Sequence, residues 1–253
     1  MKRNYVAAAF ALAFIVGTAA LATAETKDWK PTLAKIDALG SFKDSDFSAE
    51  VTIVSVKPGE DDTTIVARYF RRDVTDQFTI VMMKPDNQKG QGYFSTDKDL
   101  WFYDPESRKF AYSSLKDSFQ DTDAQNSDFS TSSYEKDYDV TESAEVKLGS
   151  FDTYALTLVA NSKTVSVAKR KIWIRKDNYL PLKEEHYSVS GRLMRTIAIP
   201  KYQTVNGRFV PVTELIVDNL KQGEKTQLTL ANVSITKLPD SVFTKEYLER
   251  VNQ

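Results

Sequence analysis

The chain carries one histidine and no cysteine, so its reactive inventory is short. His186 stands in Lys183-Glu184-Glu185-His186-Tyr187, mid-strand by pattern, with no nucleophile motif anywhere in the chain. Thiol catalysis and His-rich metal sites are excluded, and an ordinary strand role is expected for His186. Gly90-Gln91-Gly92 lacks the third glycine and following helix of a dinucleotide loop. It also lacks the Lys-Ser/Thr of a P-loop, so it reads as a turn. Acidic residues are so frequent that counting neither picks out nor dismisses a glycosidase-like pair. No catalytic residue, metal or cofactor is expected.

What the chain offers instead is apolar surface. A half-buried strand needs apolar residues only at alternate positions, yet Phe78-Thr79-Ile80-Val81-Met82-Met83 and Leu100-Trp101-Phe102-Tyr103 are apolar on both faces. Either both faces are covered, or one packs under helices while the other lines a cavity. On the second reading Phe78, Ile80, Met82, Phe94, Trp101 and Tyr103 line it, with Trp173 and Leu193 as further candidates. Methionine suits such a lining because it adapts to irregular apolar ligands.

The elements that must position these residues are mostly strands. Asp28 to Leu39 has helical spacing at Trp29, Leu33, Ile36 and Leu39, with Asp28 as N-cap and Gly40 as stop. Strands follow at Phe47–Lys57, Thr64–Arg71 and Gln77–Met83, then near Gly92–Ser95, Leu100–Tyr103 and Lys109–Ser113. Later strands are Tyr138–Leu148, Tyr154–Ala160, Lys169–Arg175, Leu182–Val189, Arg192–Tyr202, Gln203–Val205, Arg208–Val217 and Lys225–Leu238. Ser190-Gly191 and Asn206-Gly207 mark hairpin turns. A short helix opened by Pro239-Asp240-Ser241 closes the chain. So many strands at short spacing predict a mainly β fold with a few helices, built on one curved antiparallel sheet or barrel. Leu115 to Asp137 breaks the pattern. A polar, acidic stretch this long inside a compact β domain is usually functional or has structure of its own. A helix capped by Ser130 is one form it can take, a surface loop another. Phe119 and Phe129 are its apolar anchors, and it reads as a movable cover.

Residues 1–24 read as a secretory signal peptide. Lys2 and Arg3 precede the apolar run Val6–Val16, and Ala22-Thr23-Ala24 is a cleavage site. Residues 25–253 read as a single domain, exported and soluble. With no cysteine the core works without disulfides, and an N-terminal lipoprotein anchor is excluded. The 34 basic and 35 acidic residues nearly cancel, which excludes the basic patch of a nucleic-acid binder.

Several pieces together resemble the LolA-like family of periplasmic lipoprotein-sorting proteins. They are Pro85 with Lys89-Gly90, Leu100-Trp101-x-Tyr103-x-Pro105, Ser127-Asp128-Phe129-Ser130, Asn178-Tyr179-Leu180-Pro181-Leu182-Lys183, Met194-Arg195-Thr196 after Gly191, and Leu238-Pro239-Asp240-Ser241-Val242-Phe243-Thr244. Asn126 departs from the glycine usual in the family's lid. The resemblance implies an incomplete curved β-barrel with a helical or loop lid, the lid segment including Phe119, Ser127, Asp128 and Phe129. It implies binding of phospholipid or lipoprotein acyl chains, an inner-membrane transporter as donor, an outer-membrane acceptor and a monomeric carrier. It also implies an arginine tying lid to barrel, Arg68 by strand position. Two rivals remain: a sensor of the same fold that binds a lipidated ligand, and an envelope lipid or glycan hydrolase.

Overall fold

The computed structural model describes residues 27–96, 99–163 and 165–251. Residues 1–24, read from the sequence as a signal peptide, lie outside them. Thirteen antiparallel strands form one sheet among the described residues. They are β1 Phe47–Val56, β2 Thr63–Arg72, β3 Gln77–Lys84, β4 Gly92–Thr96, β5 Asp99–Asp104, β6 Lys109–Ser113, β7 Tyr138–Leu148, β8 Phe151–Ala160, β9 Lys169–Arg175, β10 Pro181–Tyr187, β11 Leu193–Val205, β12 Arg208–Asp218 and β13 Lys225–Ile235. The helices are α1 Lys30–Gly40, α2 Tyr134–Asp137 and α3 Lys245–Arg250, with 3-10 turns at Asp86–Gln88, Asn126–Phe129 and Asp240–Phe243.

The sheet runs β6-β5-β4-β3-β2-β1-β13-β12-β11-β10-β9-β8-β7, so β1 and β13 join the two ends of the chain and the sheet is not closed. The fourteen strand segments expected become thirteen strands. Leu193–Val205 is one continuous strand where two were expected, and β13 stops at Ile235. The C-terminal segment splits into the 3-10 turn and α3. The Asn206-Gly207 turn has φ of +48° and +76°, the double left-handed geometry that a two-residue hairpin needs. Among the described residues no helix is long and apolar enough to cross a membrane.

The inner face of the sheet carries two apolar clusters. Over β1–β5 and β11–β13, Val51, Ile53, Ile65, Ala67, Phe78, Ile80 and Met82 pack with Phe119, Ala124 and Phe129 of the insertion. Over β8 and β9, Leu156, Leu158, Ile172 and Ile174 pack under Leu33 and Ile36 of α1 and Tyr134 and Tyr138. The outer face has a third, smaller cluster of Val81, Phe94, Tyr103 and Leu248, with Trp101, Phe110 and Tyr247 against it. That cluster explains the two-sided apolar strands: α3 covers what would otherwise face water.

Candidate functional site

α1 is fixed over the sheet by side chains that satisfy its ends. Asp28 accepts from the Lys30 amide at 3.0 Å, just outside the first turn. At the other end Arg71 donates to Gly40 O at 2.7 Å, and Arg208 donates to Ala38 O at 3.1 Å and to Ser41 O. Cations at a helix C-terminus complement its dipole. Arg71 is itself held by Asp73 at 2.6 and 3.1 Å. Within α1, Asp37 accepts from the Tyr134 and Glu135 amides, both at 2.9 Å. Asp37 therefore caps α2 from another helix, the role expected of Ser130. Burial raises the Asp37 carboxyl above the usual range, partly offset by these amide bonds.

The insertion is ordered by its own backbone. Phe119 N donates to Ala124 O at 2.7 Å, Asn126 N to Asp117 O at 3.0 Å and Ser127 N to Leu115 O at 2.8 Å. Asn126 is buried and donates through Nδ2 to Ser114 O at 2.8 Å, so the side chain at this departure from the family pattern closes the base of the loop. Asp128 accepts from the Gln125 amide at 2.7 Å. Phe119 and Phe129 pack as a tilted pair with centroids 4.7 Å apart, and Phe129 meets Tyr69 at 5.4 Å and Phe78 at 6.4 Å. The Tyr69 hydroxyl donates to Phe129 O at 2.6 Å.

Between the insertion, α1 and the strands β9 to β13 lies a cavity of about 640 Å³, lined in part by Ile36, Phe42, Phe129, Ile197, Val212 and Leu228. This falls within the size range of small-ligand sites, roughly 300–1,000 Å³. Of the lid residues, Ser127, Asp128 and Phe129 line it, and Phe119 lies deeper, against Tyr93. The expected wall residues are elsewhere. Phe78, Ile80 and Met82 point inward but are covered by the insertion's aromatics, so they form core beside the cavity. Phe94, Trp101 and Tyr103 point outward, as strand alternation demands once Tyr93, Leu100 and Phe102 point in. Lys245 of α3 lies 3.3 Å over the Trp101 ring. Trp173 alternates with buried Ile172 and Ile174 and lies under Lys171 and Lys183, at 5.2 and 4.6 Å. Leu193, half-buried at the start of β11, does not line the cavity.

One end of the cavity is polar, which the sequence reading did not foresee. Tyr134 and Arg170 donate to Glu184, the latter at 3.2 Å, and His186 Nε2 lies 3.3 Å from the same carboxylate. Burial alone would raise Glu184, but the His186 hydrogen bond and the Arg170 charge outweigh it and hold it at about 2. Burial lowers His186, which is therefore neutral near pH 7. Arg170 also donates to the Tyr138 hydroxyl at 2.9 Å. Glu214 sits on the inner face of β12 between buried Val212 and Ile216. Burial, with Asp128 and Glu184 nearby, pushes it up to about 7. The available signal was strand parity: Glu184 and His186 on β10, and Glu214 in Val210-x-Val212-x-Glu214-x-Ile216, fall on apolar inner positions.

The tie between lid and barrel is Arg195. It bonds Asp128 at 2.6 and 3.3 Å and Gln125 at 2.8 Å. Arg68 is exposed on the outer face, opposite the insertion, because Ala67 and Tyr69 take the inner positions. Asp123, Asp218 and Glu224 bring carboxylate oxygens within 4.8 Å of one another, outside the cavity lining. A cluster of carboxylates alone defines no metal site.

An unclosed antiparallel sheet with a packed insertion over its inner face is the LolA-like architecture, so the resemblance read from the sequence holds for the fold. A family model described as an uncharacterized protein matches residues 74–250, and the chain belongs to that family. A LolA superfamily protein from Nitrosomonas europaea is 24% identical with a TM-score of 0.74, over 86% of this chain and 98% of that one. A DUF1329 family protein from Desulfovibrio piger is 19% identical with a TM-score of 0.77, over 87% and 97%. A domain described as an outer membrane lipoprotein-sorting protein, from Vibrio parahaemolyticus, is 20% identical with a TM-score of 0.77, over 87% and 98%. No curated protein matches the sequence.

Proposed function

We propose that the protein is a periplasmic carrier that holds the acyl chain of a phospholipid or lipoprotein in the cavity and moves it between membranes. The observation that carries this reading is the 640 Å³ space between the insertion and the inner face, apolar over most of its strands. Each buried methylene contributes roughly 0.8 kcal/mol, so a cavity of this size holds a chain firmly. Release requires the cover to yield, and the cover is joined to the sheet by side-chain contacts, among them Tyr69 to Phe129, Thr226 to Asp123 and Arg195 to Asp128, with no strand pairing to the main sheet among the described residues. The LolA-like fold supports the reading. An inner-membrane donor, an outer-membrane acceptor and cleavage of residues 1–24 belong to it.

The hydrolase rival is favoured by one observation: two carboxylates, Glu184 and Glu214, whose environments push them apart. Glu184 is occupied by Tyr134, Arg170 and His186, which leaves Glu214 without a free partner carboxylate. The carrier reading therefore stands first.

The test is mass spectrometry of organic extracts from protein purified from its native envelope, with Phe129→Ala and Trp101→Ala beside the wild type. Acyl-bearing species should co-purify with wild type and Trp101→Ala and fall for Phe129→Ala. Absence of any acyl species from the wild type sinks the proposal. A pull-down that recovers a membrane-bound regulator and no transporter would move the reading to a sensor.

A further inference from the structure

The charges around the cavity do not balance. Arg71 is matched by Asp73, Arg170 by Glu184, and Arg195, just behind the lining, by Asp128. Lys116 and Asp137, the other charged residues of the lining, are of opposite sign. Glu214 remains, with no hydrogen bond or ion pair to any described residue. It lies across from Leu228 on β13 and between Val212 and Ile216, so no polar neighbour on its own strand or the next serves it. Among the groups that face it, Asp128 of the insertion and Glu184 of β10 repel its charge, and Arg195 of β11 and Arg71 of β2 attract it from a distance. The tyrosines Tyr69 and Tyr202 complete its charged and titratable surroundings.

A second leftover group points the same way. His186 also lines the cavity and is 6% exposed. Its Nε2 is committed to Glu184, and its Nδ1 is buried without a partner. With Nε2 carrying the proton, Nδ1 is an acceptor. The cavity wall thus carries one carboxyl without a partner, and with it an uncompensated negative charge when Glu214 ionises, while His186 Nδ1 is a second unpartnered acceptor buried behind the lining. A polar ligand end that satisfies the carboxylate is positive and donates N–H bonds.

We propose that Glu214 seats a protonated amine within the cavity, so that the protein selects amphiphiles with an ammonium end over anionic ones of equal chain length. This rests on the carrier reading, since the apolar tail supplies the shared part of the affinity.

The experiment measures binding of monomeric dodecylammonium, dodecanol and dodecanoate to the full chain by calorimetry, for wild type and Glu214→Gln, at pH 5.5 and pH 8.5. At pH 8.5 the wild type should favour dodecylammonium over dodecanoate by about tenfold or more. The preference should shrink at pH 5.5, where Glu214 is protonated, and vanish in Glu214→Gln, with dodecanol binding equal in both proteins. Thermal unfolding of Glu214→Gln confirms that it folds. A preference that survives in Glu214→Gln, or its absence in a wild type that binds dodecanol, overturns the proposal. If no probe binds the wild type, the carrier reading falls and takes the amine seat with it.

Discussion

Arg195 Nη2 and Asp128 Oδ2 lie 2.6 Å apart and join strand β11 to the insertion. Their side chains are only 9% and 11% exposed, so water screens the pair little. The two residues come from separate sequence motifs, Ser127-Asp128-Phe129-Ser130 and Met194-Arg195-Thr196, that meet only in the folded chain. Removing one partner strands the other charge, at a cost of about 3–5 kcal/mol. Arg195→Ala should therefore speed hydrogen exchange at the amides of residues 125–130 far more than in β1 to β3. An Asp128→Ala cycle should return a coupling of about 1–3 kcal/mol. Uniform acceleration through the sheet would show that the pair supports the whole fold and not the cover.

Stability should depend on pH through two carboxyls of opposite sign. Burial first, then Asp128 and Glu184, raises Glu214 from its ordinary 4.5 to about 7. The folded state then holds that proton more tightly than the unfolded chain. Stability is lost as the pH rises from about 4.5 to 7. Glu214→Gln should match the wild type at pH 4 and exceed it by about 1–3 kcal/mol at pH 8 in urea unfolding. No difference at pH 8 would mean that the carboxyl is solvated within the cavity.

Glu184 works in the other direction. Burial opposes its charge, but His186, Arg170 and Tyr134 hold it at about 2 against an ordinary 4.5. Its contribution is present above 4.5 and lost as the pH falls toward 2. In Glu184→Gln, acid unfolding between these values should be shallower than in the wild type. An unchanged acid limb would assign acid sensitivity to other groups, such as Asp46 with Arg72.

The two apolar faces should separate by mutation. Phe119 is fully buried beneath the insertion, and Phe119→Ala should cost about 3–5 kcal/mol and weaken acyl-chain binding. Trp101→Ala removes a ring from the outer face, under Lys245, and should leave binding within twofold. Equal binding losses in the two variants would show that the faces are coupled.

At Gly92 the sheet lies close under Leu248 of α3. A Cβ there would lie 2.6 Å from Ile80 O and 2.6 Å from Leu248 Cδ2. The backbone oxygen cannot step aside, so Gly92→Ala should lower stability by about 1–3 kcal/mol in thermal unfolding. The folded variant should keep its ligand affinity, because the clash lies on the outer face. An unchanged midpoint would mean that α3 docks loosely.

Strand periods and turn chemistry carried most of the architecture. Asn206-Gly207, the α1 spacing and the unpatterned stretch after β6 each gave an element near its observed place. The face that each strand presents was not legible for β3 to β5, because α3 makes the outer side apolar as well. Phe94 and Trp101 therefore looked like cavity wall although Tyr93 and Phe102 hold the inner positions. The polar end of the cavity was missed for the converse reason. Glutamates are frequent in this chain, and only strand parity marks these as inward: Glu184 with His186 on β10, and Glu214 with Val212 and Ile216 on β12. Arg68 is a candidate on strand position alone, and it stands one residue out of phase with the inner face of β2.

The insertion runs from the end of β6 to the start of β7, and those strands are the two free edges of the sheet. A flap hinged at one end can swing clear. A strap fastened to both rims of a split cylinder cannot. It gives way only by paying out length, through loss of its short turns, or by the rims moving apart. Slack in the strap and the gape of the seam are then one motion, and if the protein carries a cargo as proposed, its girth should govern escape as directly as its chemistry.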